Sequence, residues 1–282
     1  MWNKLEIAFK ETLKTDKKIS FLVGAGLSAA SGIPTFRGKD GFWKFGSANY
    51  MPQEIGTKKM FNVNSDAVWS WYIYRKTICN SAKPNDGHKA LKSIEDKIND
   101  QFNLITQNVD GLHKSVNQSS NRTIYIHGDL DFVRCSEECS TTLFPFPNQI
   151  ANKKKDERIS ELDKEHLICP NCGEDLRPHV LWFDETYNET YYKFQTAKSE
   201  LDKTNILFLV GTSGGTTFPK FAIDRVKFFN GYIVDVNISE SEYSDELNNY
   251  ENSIILREKS EIALPRIDEI ISEETSTDDN KR

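Results

Sequence analysis

The sequence predicts an α/β fold, a doubly wound parallel sheet carrying a small module made of two insertions. Three observations predict it. Short apolar runs at 19–23, 102–106, 205–210 and 232–236 read as strands buried on both faces, each running into Gly, Asn, Asp, Ser or Thr. Helical patterns lie between these runs, and such alternation closes into a parallel sheet with helices on both sides. Two stretches break the alternation: an aromatic-rich, mostly helical one at 36–85 and a cysteine-bearing one at 133–180.

At 282 residues the chain suits one composite domain spanning 1–282. The large part takes 1–35, 86–132 and 181–270, and the small module takes 36–85 and 133–180. The polar stretch 271–282 is expected to be a disordered tail, frayed from Ser272. A formal charge of −6 sets aside indiscriminate nucleic-acid binding. No apolar run approaches the roughly 20 residues that span a bilayer. Met1 to Lys18 alternates charged and apolar residues like an amphipathic helix, without the apolar core and cleavage site of a signal peptide. A cytoplasmic monomer is expected, in a compartment where structural disulfides are uncommon.

Taken in order, the strand at 19–23 opens into Gly24-Ala25-Gly26-Leu27-Ser28-Ala29-Ala30-Ser31-Gly32-Ile33-Pro34-Thr35-Phe36-Arg37. Gly24, Gly26 and Ala29 fit the G-x-G-x-x-G/A spacing, with which a Rossmann-like strand and turn bring backbone close to a pyrophosphate. The next helix would aim its N-terminal amides at the phosphates. Ser65-Asp66 is read as the N-cap of a helix through Cys79, and a second helix runs from about His88 to Ile98. After 102–106, Gln107-Asn108-Val109-Asp110 places amide and carboxylate groups at a strand's end, where they can hold a ribose and a carboxamide. Read alone, such a tetrapeptide is more often an ordinary turn with an Asp cap. His127-Gly128 follows Thr123-Ile124-Tyr125-Ile126. Such a histidine can be a general base, although a lone histidine is more often structural.

Four of the five cysteines come in pairs, Cys135-x3-Cys139 and Cys169-x2-Cys172. Two such knuckles bring together four thiolates, the set zinc prefers, and four protein ligands leave a structural site with no open position. A redox dithiol is the other reading. His166 is a spare candidate ligand, Cys79 a small core residue, and 151–164 a charged, solvated surface insertion. His88 and His113 look like helix-start or capping residues, and His179 falls in an extended segment.

Together these motifs resemble the sirtuins, the NAD-dependent protein-lysine deacylases. The resemblance covers about 15–265, with every major motif in order. Its most particular part is Ser31-Gly32-Ile33-Pro34 running on to Phe36-Arg37. It implies contacts to NAD from Gly24, Ala25, Gly26, Ser28, Ala29, Ile33, Phe36, Arg37, Trp43, Gln107, Asn108, Val109, Asp110, Gly211, Thr212, Ser213, Asn237 and Ser260. Phe36 and Arg37 would cover the reacting ribose. His127 would be the catalytic base, with Asn108 and Asp110 positioning ribose, nicotinamide and water. Leu176-Arg177-Pro178-His179-Val180-Leu181-Trp182-Phe183-Asp184-Glu185 resembles the stretch that pairs with the acylated peptide as an added strand, through Val180, Leu181, Phe183 and Glu185. The chain departs from the usual pattern at Thr35, often Asp, at Asp184, usually Gly, and in a loop at 214–219 that is one residue longer.

The implied reaction starts with attack of the acyl oxygen on the anomeric carbon of the nicotinamide ribose, and nicotinamide leaves. His127 then deprotonates a ribose hydroxyl that attacks the imidate, and water releases lysine and O-acyl-ADP-ribose. Tyr72 and Arg75, three residues apart, share a helical face. They resemble the class III Tyr-x-x-Arg pair, which accepts acyl groups ending in a carboxylate such as succinyl, malonyl or glutaryl. Gly56 would leave room for the longer chain. By spacing alone, Tyr72 packing in the core and Arg75 pairing with an acid serves as well. A plain deacetylase, an NAD glycohydrolase or ADP-ribosyltransferase, and a non-catalytic binding module are the rival functions.

Overall fold

The computed structural model describes residues 2–35 and 50–279. Phe36, Arg37 and Trp43 lie outside the described residues. A parallel sheet of six strands forms the large part, in the order β3-β2-β1-β7-β8-β9. Its strands are β1 (Lys18–Val23), β2 (Phe102–Thr106), β3 (Thr123–Tyr125), β7 (Thr204–Val210), β8 (Tyr232–Val236) and β9 (Ser253–Leu256). β3 and β9 are the short edge strands that the four apolar runs did not announce. Three further strands, β4 (Gly128–Cys135), β5 (Phe144–Pro145) and β6 (Leu176–Val180), make a separate antiparallel sheet in the order β5-β4-β6.

The central strands read as continuous apolar runs because both faces are covered. Side chains alternate between the faces. Phe21 of β1 and Phe208 of β7 stack at 4.6 Å on one face, in a core shared with Leu5, Leu91, Ile94, Leu264 and Ile267. Those residues come from α1 (Trp2–Thr12), α6 (Asp86–Ile98) and α13 (Ser260–Asp279). Leu22, Leu207 and Leu209 point the other way, into a core closed by α10 (Phe194–Asp202) and α11 (Thr217–Phe228). Ser20, the polar interruption of β1, is matched by Thr204 Oγ1 at 2.6 Å and Asn103 Nδ2 at 3.0 Å, so it is buried without loss.

Helix α13 corrects the expected tail. It runs on to Asp279 because Ile270 and Ile271 give it one more apolar turn, and Ile271 is fully buried. Lys97 Nζ reaches from α6 to Asp268 Oδ1 and Ser272 Oγ, both at 2.6 Å. The helix thus takes in 271–279, which the sequence alone leaves as a tail.

The small module has its own core of Ile55, Phe61, Val68, Trp69, Tyr72, Val133, Leu176 and Trp182. It is built from α3 (Pro52–Ile55), α4 (Lys58–Val63) and α5 (Ser65–Ser81), packed beside the antiparallel sheet. Asn64, not Ser65-Asp66, caps α5, its Oδ1 accepting from Ala67 N at 3.1 Å. Asn85 caps α6, which starts at Asp86 rather than at His88. The charged stretch 151–164 is only partly solvated. Ile150, Ile159 and Lys153 are buried, and Lys153 Nζ pairs with Asp163 Oδ2 at 2.8 Å beside α8 (Glu161–Glu165). Ser70 and Thr77 of α5 accept the Ile159 and Lys153 amides, which laces this segment down. Short helices α2 (Ala25–Ser28), α7 (Leu112–Ser115), α9 (Glu189–Tyr192) and α12 (Ser244–Asn248) complete the described chain.

Candidate active site

The strand order reverses at β1, whose neighbours are β2 and β7. A cleft therefore opens at the carboxyl ends of these three strands, the usual ligand position in such sheets. Gly24 N bonds Val210 O at 2.9 Å, Gly26 N bonds Gly211 O at 2.8 Å, and Gln107 N bonds Val23 O at 3.0 Å. Glycine is required here by close approach: a Cβ on Gly26 would lie 2.6 Å from Gly211 Cα. Ala25 opens α2, Ala29 is exposed, and Ile33 is buried in the small-module core.

Three of the expected residues form one network. Ser28 Oγ donates to Asp110 Oδ2 at 2.6 Å and accepts from Asn108 Nδ2 at 3.1 Å. Asn108 Nδ2 also reaches Gly24 O at 3.0 Å, while Asp110 Oδ1 accepts the Leu112 amide at 3.0 Å. Val109 is buried and its carbonyl takes the Leu130 amide. The Gln107 side chain joins the other wall, donating to Thr212 Oγ1 at 3.0 Å and accepting from Thr216 Oγ1 at 2.9 Å.

His127, just before β4, is the ring in this cleft. Its Nδ1 lies 3.1 Å from the Gln107 carbonyl and its Nε2 lies 3.0 Å from the Tyr187 hydroxyl. A carbonyl only accepts, so Nδ1 carries the hydrogen and Nε2 is the basic atom. Burial pushes the ring down to about 4, so it is neutral at physiological pH. Gly128 follows at φ +84, where a Cβ would lie 2.2 Å from His179 O, so only glycine lets β4 start this close to β6.

On the far side, Ser213 is exposed and Thr212 is buried, its carbonyl accepting from Tyr243 Oη at 2.7 Å. Asn237 donates its amide to Asp235, which is fully buried and also holds Arg257 Nη1 at 2.6 Å. Ser260 starts α13 with its Oγ 3.4 Å from Gly26 O, which brings it beside the first glycine turn.

The segment after β6 is engaged more than the sequence suggested. Val180 pairs with Gly128, Leu181 N bonds His127 O at 2.9 Å, and Phe183 N bonds Gly56 O at 3.0 Å. Gly56 sits against the Phe183 ring and the Pro52 carbonyl, 3.3 and 3.0 Å from where a Cβ would be. Glu185 is held by both terminal nitrogens of Arg177 and by the Trp182 amide at 3.0 Å, which fixes the turn. Asp184 accepts the Lys58 and Lys59 amides at 2.8 and 3.0 Å, clasping the start of α4 to the strand end. Tyr72 is buried, its hydroxyl accepting from Trp182 Nε1 at 3.0 Å, and burial pushes it up to about 12. Arg75, 7% exposed, lies over the Trp71 ring at 4.8 Å and the Tyr72 ring at 5.7 Å.

All four sulfurs of Cys135, Cys139, Cys169 and Cys172 lie within 4.8 Å of one another, with 3.6 and 3.7 Å between the closest pairs. Four thiolates at the usual zinc–sulfur distance of about 2.3 Å stand about 3.8 Å apart, so the set fits a tetrahedral zinc. The separations are too long for disulfides, and His166 is not part of the group. Cys79 is buried in the small-module core, as expected for a small apolar residue, and burial pushes its thiol up to about 12.

His88 and His113 stand in the first turns of α6 and α7, as helix-start residues and not as caps. His88 and His113 face each other at 5.2 Å, and His179 stacks on Tyr192 at 5.8 Å. Among the described residues, no ring nitrogen of His88 or His113 has a hydrogen-bond partner. Burial holds all three below their ordinary value, with His113 and His179 near 4. The unfolded chain therefore takes up protons first. Stability is full above about pH 6.5 and is lost as the pH falls from there toward 4, by up to about 1.4 kcal/mol per histidine per pH unit. Urea midpoints measured at pH 7.5 and 5.5 should differ clearly; equal midpoints would refute this.

Fold and site together define a nucleotide-binding sheet with a zinc module, and the chain belongs to the Sir2 family, which matches residues 24–217. It is 34% identical over 258 residues to the NAD-dependent protein deacylase of Leptospira interrogans, covering 89% of this chain and 92% of that protein. To the NAD-dependent protein deacylase of Pyrococcus furiosus it is 36% identical over 260 residues, covering 92% and 94%. A mutant Sir2 homologue in complex with ADP-ribose superposes with a TM-score of 0.80 at 29% identity, covering 98% of each chain. A Sir2 homologue–NAD complex gives 0.77 at 28%, covering 97% of this chain and 94% of the other. Among the described residues, no helix is long and apolar enough to cross a membrane.

The sequence reading missed Tyr187 and Thr216. Neither belongs to a motif, and both come to the site from loops whose paths only the fold decides.

Proposed function

We propose that the protein is an NAD-dependent protein-lysine deacylase that yields nicotinamide and O-acyl-ADP-ribose. The observation that carries this is His127, a neutral imidazole with its basic Nε2 turned away from the Gln107 carbonyl, beside the Ser28–Asn108–Asp110 network. NAD supplies the electrophilic ribose carbon and the leaving nicotinamide. His127 accepts a ribose proton at Nε2, while Asn108 and Asp110 orient the ribose, the carboxamide and water. The deacylases of Leptospira and Pyrococcus support the activity. Acylated lysine in proteins or peptides is the substrate, reached along the edge at Val180 and Leu181. A monomer in the cytoplasm fits this reading, since reduced thiols there keep the four cysteines available to zinc.

The same reading extends to acyl groups that end in a carboxylate. Tyr72 stays protonated and uses its oxygen to accept from Trp182, so its own hydrogen can be given to an acid. Arg75 brings a permanent charge on the same helical face, stacked on Trp71. Hydrogen bonds to a charged group contribute roughly 1.5–3 kcal/mol. Arg75→Met is therefore expected to cut desuccinylation about ten- to a hundredfold beyond its effect on deacetylation.

The test is mass spectrometry of one lysine peptide in acetyl, malonyl, succinyl, glutaryl and long-chain acyl forms with NAD. Faster loss of the acidic groups supports the whole reading. Preference for acetyl, or equal losses in Arg75→Met, returns Tyr72 and Arg75 to packing. Steady NAD loss without deacylation makes the protein a glycohydrolase or ADP-ribosyltransferase.

A further inference from the structure

Tyr187 lies in the loop between β6 and α9, and its hydroxyl is 3.0 Å from His127 Nε2. The contact has a fixed direction. Nδ1 of that ring gives its hydrogen to the Gln107 carbonyl, so Nε2 is bare and Tyr187 must be the donor. The phenol is un-ionised, burial pushing it up to about 12. Its ring is firmly held, stacked at 5.6 Å on Phe194 and 5.7 Å from Phe218. Thr216, in the loop after β7, donates to the Gln107 side chain at 2.9 Å. Tyr187, His127 and the Gln107 carbonyl thus form one chain of hydrogen bonds at the start of β4, and the Gln107 side chain carries it on to Thr216.

We propose that Tyr187 is a positioning residue for deacylation. Its hydroxyl occupies, in the free enzyme, the side of His127 Nε2 that a ribose hydroxyl must reach, and it yields that place when NAD enters. The proposal rests on His127 being the base. The reason is valence: a neutral imidazole has one lone pair on its basic nitrogen, so it cannot hold the Tyr187 hydrogen and take a ribose proton at once. While Tyr187 donates, the ring stays in the tautomer and orientation that the reaction needs. Binding NAD then requires this hydrogen bond to be broken, which weakens cofactor binding.

Tyr187→Phe keeps the ring stack and removes only the hydroxyl. In long-range proton–nitrogen spectra of the free protein at neutral pH, the His127 Nε2 resonance is expected to move downfield, toward an unbonded imidazole nitrogen. KM for NAD is expected to fall about three- to tenfold, the loss of one neutral hydrogen bond that NAD otherwise displaces. An Nε2 resonance that stays in place, or a KM that does not fall, overturns the proposal. The base reading is judged separately: it fails if His127→Ala deacylates at the wild-type rate, whatever Tyr187→Phe does to the resonance.

Discussion

Removing the metal from the four-cysteine centre, by a chelator or by Cys172→Ala, is expected to unfold the small module and abolish turnover. Structural zinc binds with roughly 10–16 kcal/mol in small finger peptides, a free energy comparable with the whole stability of a domain. Here the centre terminates two strands that continue into the cleft. Cys135 ends β4, whose other end is Gly128 beside His127, and β6 starts at Leu176 just after Cys172 and ends at Val180. With the centre open, Cys135 and Leu176 lose the clamp on their pairing. The expected readouts are loss of one zinc per chain by elemental analysis and a shift of tryptophan emission, since Trp69, Trp71 and Trp182 sit in the module core. The helical signal of the large part should persist, because its two cores do not involve the module. A zinc-free protein with wild-type activity and an unchanged melt would show that the centre is not structural.

That division into a legible sheet and a less legible module has physical causes. β1, β2, β7 and β8 are buried on both faces, so their burial leaves an unbroken apolar signature that local reading finds. β3 and β9 are edges of three and four residues, too short to stand out, and only pairing with β2 and β8 defines them. The end of α13 misled for the opposite reason. Its composition from Ser272 onward is polar, and the contact that holds it, Ile271 against the α6 face, lies just before that point. In the same way the charge of 151–164 hid a buried Lys153, whose acid partner Asp163 is ten residues away and reaches it only through the α8 turn.

Site residues followed the same rule. The strand-end motifs were legible because backbone approach demands glycine at Gly26 and Gly128, and because the four thiolates come in two tight knuckles. What the sequence could not tell was which polar groups are already engaged. Glu185 is already paired with Arg177, and Gly56 lies against Phe183. Asp184, a departure from the family pattern, caps α4, a role that depends on a fold-level contact with Lys58 and Lys59.

His127→Ala should separate the two halves of the proposed reaction. General-base catalysis contributes typically 10²- to 10⁴-fold, so deacylation is expected to fall by about that factor. Cleavage of NAD precedes the proton transfer assigned to His127, so exchange of labelled nicotinamide into NAD should survive in the variant when acylated peptide is present. The fold should survive as well. His127 is only partly buried and makes two hydrogen bonds, each contributing about 0.5–1.5 kcal/mol net, while the β4–β6 pairing runs through backbone that alanine retains. In the wild type, burial holds the ring near 4, so it is ready as a base across the neutral range, and turnover should decline only as the pH falls toward that value. Equal loss of exchange and deacylation would place His127 in NAD binding instead. Retention of both would remove it from the chemistry, and the basic atom of the cleft would have to be sought elsewhere.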